Sequence, residues 1–137
     1  MSVIKSKRSE SPVEFIYNAR NLQIYTAQQV KNFGKTYTFI LGQRMADMAF
    51  SIHDNVKKAN SITPTNAHEV QTRRDLLLNA KSTLHSMISQ IEVAEELFGL
   101  KAGIKQHWSD LIYDEIRLIS GVLKRDKERY KNLISEE

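Results

Sequence analysis

Cysteine is absent from all 137 residues, which removes a disulfide framework, a thiolate metal site and a cysteine nucleophile together. A reducing, cytoplasmic setting is expected. Glycine occurs five times and proline twice, too little punctuation for the many turns of a strand-rich fold. No apolar run approaches the ~20 residues that span a bilayer. The opening MSVIKSKRSE carries charge without the apolar segment of a signal peptide, so no membrane partner is expected. Phosphate-cradling glycines are missing as well: Gly34-Lys35 and Gly99-Leu100-Lys101 lack the preceding glycine spacing of a P-loop.

What is present is 41% hydrophobic and 26% charged, the balance of a helical globular chain long enough for one core. Residues 1–11, with Lys5, Lys7 and Arg8, read as a flexible basic arm. Ser11-Pro12-Val13-Glu14 is a helix start, with a capping serine, proline at the first helical position and a carboxylate three residues after the cap. Phe15, Ala19, Leu22, Thr26, Gln29 and Phe33 then recur at steps of four and three, predicting a helix over 12–33 with Gly34 as its left-handed stop.

Thr36 can cap a second helix whose apolar stripe runs Tyr37, Leu41, Met45, Met48, Ile52, Val56 and Ala59 and ends before Pro64. Asn66 with Glu69 caps a third. Its rhythm of Arg73, Leu77, Ala80, Leu84, Met87, Ile91, Ala94 and Phe98 closes at Gly99. Ile104, Trp108, Leu111, Ile112, Leu118, Ile119, Val122 and Leu123 stripe a fourth helix that fades into KRDKERYKNLISEE. Four long helices with short links predict an all-α, antiparallel up-down-up-down four-helix bundle over 12–133, followed by a disordered tail at 134–137.

Catalytic and metal chemistry find little support. No Glu-x-x-His pair occurs, and His53, His68, His85 and His107 lack partners at ligand spacing, so no cofactor or metal is expected. Asp114 and Glu115 adjoin, but adjacent helical residues diverge and do not form a paired acid and base. Glu115 falls on the apolar stripe, which suggests a buried bond to Arg44, Arg73 or Gln43, with a functional carboxylate as the other reading.

Charge is more informative. In such a bundle the arm 1–12, the turn region 54–75 and the tail 124–137 meet at one end, with twelve basic against eight acidic residues. The remainder of the chain holds eight of each, so the whole excess of +4 maps to one pole. Charged helix ends are often only solvated faces. The alternative is a polyanion surface built from Lys57, Lys58, Arg73, Arg74, Lys124, Arg125, Lys127, Arg129 and Lys131, with Tyr130 either stacking on a base or packing at the bundle's end.

Phe33-Gly34-Lys35-x-Tyr37, Leu41-x-Gln43-x-Met45 and Ala49-Phe50-Ser51-Ile52-x-x-Asn55-Val56 follow in order. Helix three adds Leu76-Leu77-x-x-Ala80-x-x-x-Leu84 and Gln90-Ile91-Glu92-x-Ala94-x-x-Leu97-Phe98-Gly99-Leu100, and helix four adds Asp114-Glu115-Ile116 ahead of Leu123-Lys124. This succession, over about 12–130, resembles the bacterial four-helix-bundle family of ribosomal RNA intervening-sequence proteins, which includes the accessory variability proteins of diversity-generating retroelements. The resemblance implies a ring-forming homo-oligomer, often a pentamer, and a non-enzymatic accessory protein that binds RNA or DNA and a reverse transcriptase through a basic surface. Where the family pattern carries Asn-Ile-Ala-Glu-Gly, this chain has Asn55-Val56-Lys57-Lys58-Ala59, more cationic and more helical, so no role of that glutamate transfers. The alternative is a protein-interaction or assembly module whose charge serves solubility alone. Phe39, Phe50, Leu78 and Ile116 are candidates for contacts between subunits or for buried flanks.

Overall fold

The computed structural model describes residues 13–135. The basic arm, the Ser11-Pro12 start signal and residues 136 and 137 lie outside the described residues. Those described are helical throughout, without a strand: α1 (Glu14–Val30), α2 (Lys35–Tyr37), a π-helical turn (Thr38–Gly42), α3 (Gln43–Ser61), α4 (Ala67–Phe98), α5 (Ala102–Arg129) and α6 (Lys131–Ser135). None of these helices is long and apolar enough to cross a membrane.

The ends of the first helix depart from the sequence reading. It stops at Val30, and the following amides tighten into shorter-range bonds, Asn32 N–H to the Gln29 carbonyl and Phe33 N–H to that of Val30. Gly34 is not the left-handed stop expected of it. Its φ of −58° and ψ of 151° are extended, and it caps α2 instead. Thr36 therefore sits inside the first turn, while the Thr38 hydroxyl ties the corner by donating toward the carbonyls of Phe33 (3.1 Å) and Val30 (3.4 Å). The backbone stays helical from Lys35 through Ser61 because the π-turn inserts without a break. Gly42 lies in that turn, where a Cβ would stand 3.3 Å from both Phe33 and Val30, so the lack of a side chain lets the end of α1 close on α3.

The other boundaries follow local chemistry as expected. Asn66 Oδ1 accepts the Glu69 amide at 2.9 Å, while the Glu69 carboxylate accepts from the amide and hydroxyl of Thr65 at 2.8 and 2.7 Å, one residue upstream of the predicted partner. Gly99 has a φ of 77° and its amide closes α4 on the Glu95 carbonyl.

The four long helices form a closed cycle of neighbours in a bundle-like core, α1 on α3 and α5, and α4 on α3 and α5. Leu22, Met45, Ile52, Leu77, Leu84, Met87, Trp108, Ile112 and Ile119 are fully buried, each contributing about 1.5–3 kcal/mol of apolar burial. One side chain sits among them for a polar reason. Thr26 occupies an apolar position because its hydroxyl accepts the Trp108 indole N–H at 3.0 Å, with both residues sealed from solvent. At the rim of the core, half-buried Asn55 donates to Asn79 Oδ1 at 3.1 Å across the α3–α4 seam. Ile116 packs against the core, whereas Phe39, Phe50 and Leu78 remain exposed. Replacing Thr26 with valine keeps the shape and orphans the indole N–H, so Thr26→Val is expected to lower the unfolding free energy by about 1–3 kcal/mol in urea titration.

Candidate functional site

The C-terminal end of α3, the N-terminal end of α4 and the last turns of α5 meet at one end, joined by Arg73. Its Nε and Nη2 donate to Asp126 Oδ2 and Oδ1 at 2.6 and 3.2 Å, and its Nη1 donates to the Ala59 carbonyl at 2.9 Å and toward that of Ile62 at 3.4 Å. Arg73 is only 7% exposed and Asp126 8%, so this bidentate pair belongs to the interior. Arg73 is thus removed from the expected polyanion surface: its guanidinium is consumed by a carboxylate and two carbonyls.

The remaining predicted cations are exposed and differ in their partners. Lys58 lies 2.9 Å from Asp54, and Lys131 lies 2.7 Å from Glu128, both solvent-facing pairs within a helical turn. Among the described residues, Lys57, Arg74, Lys124, Arg125, Lys127 and Arg129 have no carboxylate within ion-pair distance. The carboxylates left at this end are Glu69, held by Thr65, and Asp75, which accepts from Gln71 at 2.7 Å. Over 54–75 and 124–135 there are nine basic and five acidic side chains, and the three internal pairs leave the excess on those six residues.

Concavities open between these cations. One of about 220 Å³ is lined by Asn60, Thr63, Arg125, Arg129 and Tyr130, with Phe15, Val122, Arg73 and Asp126 deeper. A second of about 200 Å³ lies by Arg74, Lys127 and Ile134. Arg125 folds back along α5 toward Gly121, where a Cβ would stand 3.3 Å from its Nη1. The Arg129 guanidinium lies 5.8 Å from the centre of the Tyr130 ring. Tyr130 therefore packs at the helix end beside a cation.

Glu115 is elsewhere. It is fully buried, and its Oε1 accepts from Asn18 Nδ2 at 3.1 Å, while the same amide reaches the Leu111 carbonyl at 3.0 Å. The expected bonds to Arg44, Arg73 or Gln43 are not made: Arg73 is spent on Asp126, and Arg44 and Gln43 face solvent. Burial pushes the carboxyl up to about 8, opposed by the Asn18 bond and aided by Glu14 and Asp114. His53 Nδ1 lies 2.7 Å from Gln23 Oε1 and is lowered by burial, then by Lys57 and Arg20, and the His107 ring packs edge-on against Tyr25 at 4.6 Å. Among the described residues no group of three His, Asp or Glu stands where it could hold a metal ion.

No family model, curated protein or solved structure matches the chain. The helix-spacing resemblance accordingly stands on the sequence alone.

Two predictions follow the interior polar groups. Because Glu115 stays protonated in the native state while the unfolded carboxyl ionises near 4.5, stability should fall as pH rises from about 4.5 to about 8 and then level off. The slope contributed is at most about 1.4 kcal/mol per pH unit, and Glu115→Gln should flatten it in urea titrations at several pH values. Arg73→Ala, which strands a buried carboxylate, should cost about 3–5 kcal/mol, whereas Arg74→Ala at the exposed neighbour should stay within about 0.5 kcal/mol by the same assay.

Proposed function

We propose that the chain is an antiparallel up-down-up-down four-helix bundle and a non-enzymatic accessory protein that binds single-stranded nucleic acid at its basic end. Pairwise contacts support the topology. Asn18 meets Glu115 while Thr26 meets Trp108 between α1 and α5, Arg73 meets Asp126 while Glu95 meets Lys105 between α4 and α5, and Ala59 meets Arg73 while Asn55 meets Asn79 between α3 and α4. Each pair runs in opposite senses along its two helices.

The observation that carries the function is the set of six exposed cations at one end that, among the described residues, have no carboxylate within ion-pair distance, against two unpaired acids, Glu69 and Asp75. Solvated helix ends more often intersperse both signs, and an unbalanced cluster attracts a polyanion through release of its counterions. Flexible side chains flanking shallow concavities suit a single strand, whose backbone can follow them. Nothing in the arrangement reads base edges, so the binding is independent of sequence.

A second reading, an assembly module, draws on a different surface. Phe39 is 74% exposed and Phe50 57%, large aromatic areas that self-association would cover. The two readings combine in a ring-forming RNA- or DNA-binding protein, in line with the resemblance, which also implies a reverse transcriptase as partner. They separate if nucleic acid does not bind.

Fluorescence anisotropy with a labelled single-stranded RNA across a salt series tests the proposal. Affinity should fall linearly on a log–log plot by about 0.7 per phosphate contacted. Lys57→Glu/Lys124→Glu and Arg74→Glu/Lys127→Glu should each weaken binding at least tenfold at low salt with helicity unchanged by circular dichroism. Wild-type affinity in both charge-reversed proteins contradicts the proposal and leaves the assembly reading.

A further inference from the structure

Of the concavities at the basic end, the one of about 220 Å³ between the α3–α4 turn and the end of α5 combines depth, charge and free donors. We propose that it is a seat for a terminal phosphate monoester, on a nucleic-acid end or a free nucleotide, gripped by Arg125 and Arg129. The inference rests on the polyanion reading of this end and adds the chemical group recognised there.

The floor is closed by buried Phe15 and Val122 and by the Arg73–Asp126 pair. Asp126 would ordinarily repel an anion, but both of its oxygens are already held by Arg73. Arg73 and Asp126 cancel one another, so the lining keeps an excess of two positive charges, those of Arg125 and Arg129. That excess matches the charge of about −1.5 to −2 carried by a phosphate monoester at neutral pH, and it exceeds what one internal diester offers.

The donors suit the same group. Among the described residues Arg125 and Arg129 have no carboxylate partner, and their planar forks match phosphate oxygens two at a time. The Asn60 amide and the Thr63 hydroxyl line the opposite wall and make no hydrogen bond among the described residues. Gly121 leaves the space in which the Arg125 guanidinium rests, and Arg129 is steadied beside the Tyr130 ring.

Shape narrows the choice further. Pockets for whole drug-sized ligands run to about 300–1,000 Å³, so this one takes a phosphate with its sugar and leaves a base outside. Lined by Asn60, Ile62 and Thr63 from the α3–α4 turn and by Arg125, Arg129 and Tyr130 from the end of α5, a space of this size holds the compact phosphate of a chain end.

The test compares two single-stranded RNAs of about ten nucleotides, one phosphorylated at both ends and one with hydroxyls at both, by anisotropy with the full chain. The wild-type protein is expected to bind the phosphorylated RNA about tenfold tighter. Arg125→Gln/Arg129→Gln should abolish that ratio. Lys124→Gln/Lys127→Gln removes the same charge outside the pocket and should weaken both RNAs alike while keeping the ratio. A wild-type ratio of one overturns the pocket and leaves the wider reading standing, and loss of the ratio in both double variants overturns it too. If neither RNA binds, the wider reading fails. The pocket is then judged by phosphorus NMR titration with adenosine monophosphate, where broadening in the wild type that vanishes in Arg125→Gln/Arg129→Gln supports a free-nucleotide seat and its absence overturns it.

Discussion

The bidentate contact between Arg73 and Asp126 is the constraint on which the basic end depends. Removing two charges from water costs several kcal/mol per ion, and a buried pair offsets this only when its remaining donors are satisfied. Here they are: the guanidinium also bonds the Ala59 carbonyl, which already accepts the Ile62 amide that closes α3, and reaches the Ile62 carbonyl just beyond the helix end. One side chain from α4 thereby fixes where α3 stops, how the turn leaves it and how the end of α5 approaches. Arg125 and Arg129 flank Asp126 on α5, so the same contact that neutralises the interior carboxylate sets the position from which these two arginines project.

The interior elsewhere uses few polar contacts, placed between α1 and α5. Thr26 with Trp108 and Asn18 with Glu115 each have a hydrogen-bond geometry that a slip along the helix axes would break. Apolar packing alone tolerates small shifts of register, and these bonds specify one alignment at the cost of burying polar atoms. Glu115 is kept neutral by its surroundings and so does not require a counterion. The core remains free of unpaired charge, and the formal excess of the chain is displayed at its surface, where it is useful to a polyanion ligand.

Much of this was legible in the residues. Periodicity gave the four long helices, Asn66 with Glu69 gave the start of α4, and Gly99 gave its end, because each of those signals acts locally. Gly34 and Thr36 were misread for a tertiary reason: Gly34 turns the chain in an extended conformation, and Thr38 secures the corner through carbonyls of the preceding helix. The π-turn has no local signature beyond Gly42, whose missing side chain admits α1. Arg73 stood on the apolar rhythm four residues before Leu77, and Asp126 four after Val122. That spacing is the signal of an inward-facing side chain, although charge suggested a surface role for Arg73 and no sequence feature paired it with Asp126. The partner of Glu115 was not legible, since Asn18 lies 97 residues away and nothing in either segment names the other.

The most direct measurement of the central claim is hydrogen–deuterium exchange on the full chain with and without single-stranded RNA at low salt. Slowed exchange confined to peptides covering 57–63, 70–74 and 122–131 is the predicted result, with residues 33–45 and 95–106 at the other end unchanged. Slowing at that other end instead, or unaltered exchange throughout under conditions where RNA is bound, would contradict the assignment of the ligand surface to the end organised by Arg73.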